Sequence, residues 1–212
     1  MKIRVGSRDS RLAVLQSEIV LRGIAAAAPA AELELVTMKT TGDRILHKPL
    51  DEIGGKGLFV KELDQALRDG RVDFTVHSLK DLPSAPCPGL VVAATLKRED
   101  PRDALVARDG LTLDTLPTGS RVGTGSPRRA AQLRALRPDL EIVDIRGNVG
   151  TRIGRVKGLE EHAGKQVVLR QNTETSERAD HGVGTERSGD CDAVVLAVSG
   201  LKRLGKEHLI TE

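Results

Sequence analysis

The residues best suited to chemistry in this chain are basic, and they follow candidate strands. The stretch Gly123-Thr124-Gly125-Ser126-Pro127-Arg128-Arg129 reads as strand end, tight turn and helix start. Ser126 suits an N-cap, and Pro127 is pre-organised for the first helical position. Arg128 and Arg129 then fall in the first turn, beside unpaired backbone N–H groups and the positive end of the macrodipole. Two guanidinium groups there cost stability unless an anion sits among them. Two readings stand: a built site for phosphate or carboxylate, or two solvated arginines on a helix end. The wider pattern favours the site. Arg8, Lys80, Arg146, Arg152, Lys202 and Arg203 also fall in loops after strands. Such loops carry ligands in α/β architectures, and arginine suits carboxylates as well as phosphates. Lys56 lies in Gly54-Gly55-Lys56-Gly57, which lacks the P-loop spacing.

Asp81 is the acidic counterpart. It stands between Lys80 and Leu82-Pro83, directly after a candidate strand. A carboxylate among cations stays ionised and can stabilise a developing positive charge or move a proton. The competing role is a helix N-cap or an ion-pair partner of Lys80. His77 reads as a packed or hydrogen-bonded residue, and Asp43, in Thr41-Gly42-Asp43-Arg44, as a turn residue. Cys87 and Cys191 lack metal-ligand spacing and have no accompanying histidine, so no metal site is expected.

Alternating strands and helices must position these groups. Residues 2–6 alternate as a strand, and an apolar stripe through Leu12, Leu15 and Ile19 predicts a helix to about residue 27. Strands are expected at 32–38, 72–76, 90–96, 104–107, 121–124, 140–145 and 191–198. Helices are expected at 58–67 and 127–136, and after residue 152. The stretch 158–189 is polar and weakly periodic, and reads as a long surface loop. The charged run 97–103 is a candidate domain crossing. The alternation implies an α/β fold with parallel-rich sheets.

Composition excludes several functions. With 33 basic against 30 acidic residues, bulk charge does not point to nucleic acid. Aromatic residues are 1% of the chain, so base-stacking platforms are nearly absent. No apolar run reaches the roughly 18 residues of a membrane span. The N-terminus has no signal-peptide core, which leads to a cytoplasmic expectation.

Seven segments, in this order, resemble the porphobilinogen deaminases (hydroxymethylbilane synthases) of tetrapyrrole biosynthesis. They are Gly6-Ser7-Arg8 with Gln16, Gly54-Gly55-Lys56-Gly57-Leu58-Phe59, the run 76–83, Arg98-Glu99-Asp100-Pro101-Arg102-Asp103, and the runs 123–129, 146–152 and 196–205. The match covers nearly the whole chain outside 158–189. The resemblance implies two α/β domains like those of periplasmic binding proteins around a cleft: 1–97, and 98–199 with the polar insertion, with 200–212 a truncated end. It also implies a small third α+β domain, expected to be absent from this chain.

The resemblance further implies a covalent dipyrromethane cofactor on a cysteine of that third domain, which neither Cys87 nor Cys191 matches. The family polymerises four porphobilinogen units head to tail, with release of ammonia, into hydroxymethylbilane. Carried over residue by residue, Asp81 is the catalytic aspartate, stabilising the cationic azafulvene at the pyrrole N–H. Lys56, Ser78, Lys80, Thr124, Ser126, Arg128, Arg129 and Arg146 would hold the cofactor. Arg8, Gln16, Arg152 and Arg203 would bind the substrate's acetate and propionate groups. A monomer acting on a small molecule, with no nucleic-acid or membrane partner, is expected. The competing class is a non-catalytic, two-lobed anion-binding module.

Overall fold

The computed structural model describes residues 1–44, 57–85, 87–163 and 189–212. These residues form two compact units, the first ending at Lys97 and the second starting at Arg98.

In the first unit, β1 (Lys2–Arg8) is the central strand of a parallel sheet, flanked by β2 (Glu32–Met38) and β3 (Phe74–Thr75). Helix α1 (Arg11–Ala27) begins at Ser10, whose hydroxyl accepts the Ala13 N–H at 3.4 Å. Short α2 (Thr41–Arg44) follows β2, and α3 (Lys61–Arg68) precedes β3. Leu63 and Ala66 of α3 and Val5 of β1 are fully buried. Because all three strands run the same way, Arg8 and the residues after β3 emerge at one sheet edge.

The fourth strand expected at 90–96 does not form. No strand is assigned there, and Val91, Val92 and Leu96 are 86%, 60% and 60% exposed. A β-prone run becomes a strand only when a neighbour takes its backbone hydrogen bonds and a surface covers one face. Among the described residues nothing does either.

The second unit contains β4 (Asp103–Ala107), β5 (Arg121–Gly123), β6 (Glu141–Val143) and β7 (Ala193–Ala197), in the order β4-β7-β5-β6. β5 is parallel to β6 and β7, whereas β4 is antiparallel to β7 and pairs Asp103 with Ala197. Asp103, the first residue of β4, therefore reaches the edge where β5, β6 and β7 end.

The runs DALVA and AVVLA are apolar on alternating sides, and each side has its own core. Ala104, Val106, Val194 and Leu196 pack with Ile145, Ile153 and Leu201. Leu105, Ala107, Ala193 and Val195 pack with Val122, Leu133 and Leu140. A sheet covered on both faces calls for such continuous apolar strands. Three helices follow strand ends: α4 (Pro127–Leu136), α5 (Val149–Ile153) and α6 (Val198–Arg203).

The polar stretch expected as a loop leaves and rejoins this unit through a closed stem. The Cys191 N–H donates to the Arg155 carbonyl at 2.8 Å, and the Lys157 N–H to the Cys191 carbonyl at 3.0 Å. Residues 164–188 of that stretch lie outside the described residues. At the stem, Asp192 accepts the Arg121 N–H (2.8 Å), Arg108 Nε (2.8 Å) and Lys157 Nζ (3.0 Å).

Burial opposes ionisation of the Asp192 carboxyl, but these donors hold its pKa at about 2, below the ordinary 3.8. Such a group adds stability above about pH 4 and loses it as pH falls towards about 2. Asp192→Asn should therefore lower the thermal midpoint at neutral pH and flatten its decline over that acid interval. Scanning calorimetry across the interval checks this; an unchanged acid limb contradicts it.

Candidate functional site

At the edge of the first unit, Arg8 ends β1 and meets two carboxylates. Its Nε donates to Asp43 Oδ2 at 3.2 Å, and its Nη2 pairs closely with the other Asp43 oxygen. Its Nη1 lies 3.6 Å from Asp81 Oδ2, and its Cζ sits 4.4 Å above the centroid of the Phe59 ring. Asp81 closes the 3₁₀ turn Leu79–Asp81, which three residues separate from the end of β3, with its side chain one-quarter exposed. The preceding Ser78 exchanges hydrogen bonds with Gln16 of α1 (2.9 and 3.2 Å). His77 Nε2 lies 3.1 Å from the Thr75 hydroxyl, and burial holds its pKa below the ordinary value. Lys80 is exposed. Lys56 lies outside the described residues.

At the edge of the second unit, the turn 124–126 delivers α4. Ser126 caps the helix, its hydroxyl accepting the Arg129 N–H at 3.5 Å, and Pro127 takes the first turn. Buried Thr124 accepts the Ser126 N–H at 3.2 Å. Gly125 permits a close approach: a Cβ there would lie 2.7 Å from the Ile145 carbonyl oxygen.

The anion that the two helix-start arginines call for is internal. Asp103 accepts Arg128 Nη2 at 2.9 Å and Arg129 Nη2 at 2.6 Å. Burial opposes its ionisation, yet these two arginines hold the Asp103 carboxyl below the ordinary carboxylate range. Neither arginine is simply solvated, and neither depends on a ligand for its only counter-charge.

Arg146 differs. It follows buried Ile145 after β6 and is only 7% exposed. Its Nε has no hydrogen-bond partner among the described residues. Gly147, at φ +102°, then turns the chain into the Asn148 cap of α5. The Nε atoms of Arg129 and Arg203 are also buried without a partner among the described residues. Arg152 Nε donates to the Gly147 carbonyl at 2.9 Å. Lys202 pairs with Glu99 and Asp100 at 3.8 and 3.7 Å. Three buried guanidinium nitrogens of this unit, on Arg129, Arg146 and Arg203, thus lack an acceptor among the described residues.

A family model described as porphobilinogen deaminase, dipyromethane cofactor binding domain, matches residues 3–212. The chain belongs to the porphobilinogen deaminase family. Similar proteins include the porphobilinogen deaminase of Micrococcus luteus, 52% identical over 99% of this chain and 52% of the relative. That of Roseiflexus castenholzii is 46% identical over 99% of this chain and 59% of the relative. That of Leifsonia xyli is 49% identical over 99% of this chain and 54% of the relative. The chain thus spans little more than half the length of these family members.

Reading the sequence alone missed Asp103 as the counter-ion and dismissed Asp43 as a turn residue. The available signal was the acidic residue opening a strand beside the charged run, and a carboxylate three residues after a threonine. The sequence does not say which arginine either would meet.

Two measurements follow from this geometry. Burial, then the nearby Asp190 carboxylate, pushes the Cys191 thiol up to about 12. Ellman's reagent should therefore label Cys87 alone in the native protein, and Cys191 only in denaturant; two fast thiols would contradict this. Gly125→Ala should lower stability by about 1–3 kcal/mol in chemical denaturation, because backbone atoms must move to admit the methyl.

Proposed function

We propose that this chain is the cofactor-binding and substrate-binding part of a porphobilinogen deaminase. The reaction is polymerisation of four porphobilinogen units, with release of ammonia, into hydroxymethylbilane. The observation that carries the reading is Arg146, nine-tenths buried with an Nε unpartnered among the described residues, in a chain matched by a cofactor-binding domain model. A buried guanidinium atom without an acceptor is costly, and a ligand carboxylate satisfies it. The acetate and propionate groups of an oligopyrrole supply such acceptors.

The residues fit a dipyrromethane in chemical type. When bound, that group supplies the pyrrole carbon to which the first substrate is joined. Arg146, Arg129 and Arg128 would bind its carboxylates, with Ser126, Thr124, Ser78, Lys80 and Lys56 as further polar contacts. Arg152, Arg203, Gln16 and Arg8 would orient the incoming pyrrole. Asp81 would face the pyrrole N–H, hold its proton and lower the cost of positive charge developing there. The proposal includes the two-domain arrangement around a cleft, divided at 97/98, a third domain carrying the attachment cysteine, and a cytoplasmic monomer.

The test separates holding from turnover, using cofactor-loaded protein and intact mass with an Ehrlich colour reaction. Arg146→Leu should yield protein of bare-polypeptide mass and no colour. Asp81→Asn should keep the cofactor mass but lose turnover by about 10²- to 10⁴-fold. Near-normal turnover in Asp81→Asn would remove the catalytic assignment and favour a binding module. Normal loading of Arg146→Leu would remove the cofactor site as drawn.

A further inference from the structure

We propose that Asp43 is a positioning residue for Asp81 and acts through Arg8; this rests on the reading of Asp81 above. The guanidinium of Arg8 is constrained on three sides. Asp43 engages Nε and Nη2, and Phe59 lies under the plane. Only Nη1 is left to face Asp81, at 3.6 Å. Asp43 is itself anchored, its Oδ2 accepting the Thr40 N–H at 3.2 Å and the Thr40 hydroxyl at 2.7 Å. Thr40 is fully buried, so the anchor belongs to the core. The Asp43 side chain is only 17% exposed and Arg8 20%, so water screens the pair weakly.

The arrangement separates two tasks. Asp43 supplies the counter-charge that Arg8 needs. Asp81 is then spared a full ion pair: 3.6 Å exceeds direct hydrogen-bond reach. Its carboxylate is aligned by the Arg8 field and keeps its lone pairs for a substrate N–H. Without Asp43, the guanidinium would close on Asp81 and occupy those lone pairs. An arginine already neutralised by Asp43 is also a weaker grip for a substrate carboxylate than an uncompensated one. The other charged and titratable groups around this cluster include His77, near Asp64, Asp81 and Arg8, and Asp9, near Asp43, Lys39 and Arg8.

The first test needs no turnover. The Asp81 carboxyl is titrated by carbon-13 NMR in the 212-residue chain. Asp43→Asn should move its midpoint down further in the wild-type background than in the Arg8→Leu background, where only the direct field of Asp43 is lost. Such non-additivity marks action through Arg8. Equal movement in both backgrounds would overturn the proposal, since direct field effects do not need Arg8.

The second test uses cofactor-loaded protein. Asp43→Asn should lower kcat by about tenfold or more and keep KM within about twofold, the pattern of a misplaced reacting group. A raised KM with unchanged kcat would mean that Asp43 tunes substrate binding and does not position Asp81. No change in either would leave Asp43 a turn residue. Both results overturn the proposal. If Asp43→Asn does not fold, Thr40→Val takes its place with the same direction of effect, because it removes the hydroxyl that anchors Asp43. Turnover surviving Asp81→Asn would remove the catalytic reading of Asp81, while the NMR cycle would still report whether Asp43 acts through Arg8.

Discussion

A guanidinium group cannot be buried without an acceptor, and much of this molecule's edge chemistry answers that constraint. Arg8 is satisfied by Asp43, while Arg128 and Arg129 share Asp103. Arg155 and Arg121 draw on Asp190. Desolvating an ion costs several kcal/mol, so each such pair is worth having only where geometry is good and further hydrogen bonds complete the shell. The Asp43 pair meets that condition through Thr40, and the Asp192 cluster through the Arg121 backbone. Arg146 Nε does not meet it within the described residues.

The internal carboxylates also change what binding means here. A helix start carrying two uncompensated arginines would attract any anion. With Asp103 between them, Arg128 and Arg129 are held in register by an internal counter-charge. A site whose donors are already placed loses less side-chain entropy on binding. The antiparallel strand β4 makes this possible, because it brings Asp103 to the edge where the three parallel strands end. A fourth parallel strand would have put its first residue at the opposite edge.

The two sheets differ in how they are covered. In the second unit, both faces of β4 and β7 are packed, and the strands are apolar apart from Asp103 at the start of β4. In the first unit, β2 has no fully buried residue and β3 has two residues. The run 90–96 has strand composition but exposed side chains. Intrinsic preference cannot make a sheet edge without a strand to pair with.

Helix α4 was legible to the residue, since Ser126, Pro127 and the spacing of Ala130 and Leu133 are local signals that act within one turn. The placing of basic residues after strands was legible too, because strand ends are punctuated by glycine and cap residues. The chain's own order of residues thus determined its α/β class, its family and most of its elements. It did not determine the run 90–96, which forms no strand, or the start of α5, which begins at Val149 and not after residue 152. Which carboxylate meets which arginine was decided only in three dimensions. Asp103 and Arg129 are 26 positions apart, and Arg8 and Asp43 are 35 apart. Pairing over such separations depends on strand order and direction, which no local pattern encodes.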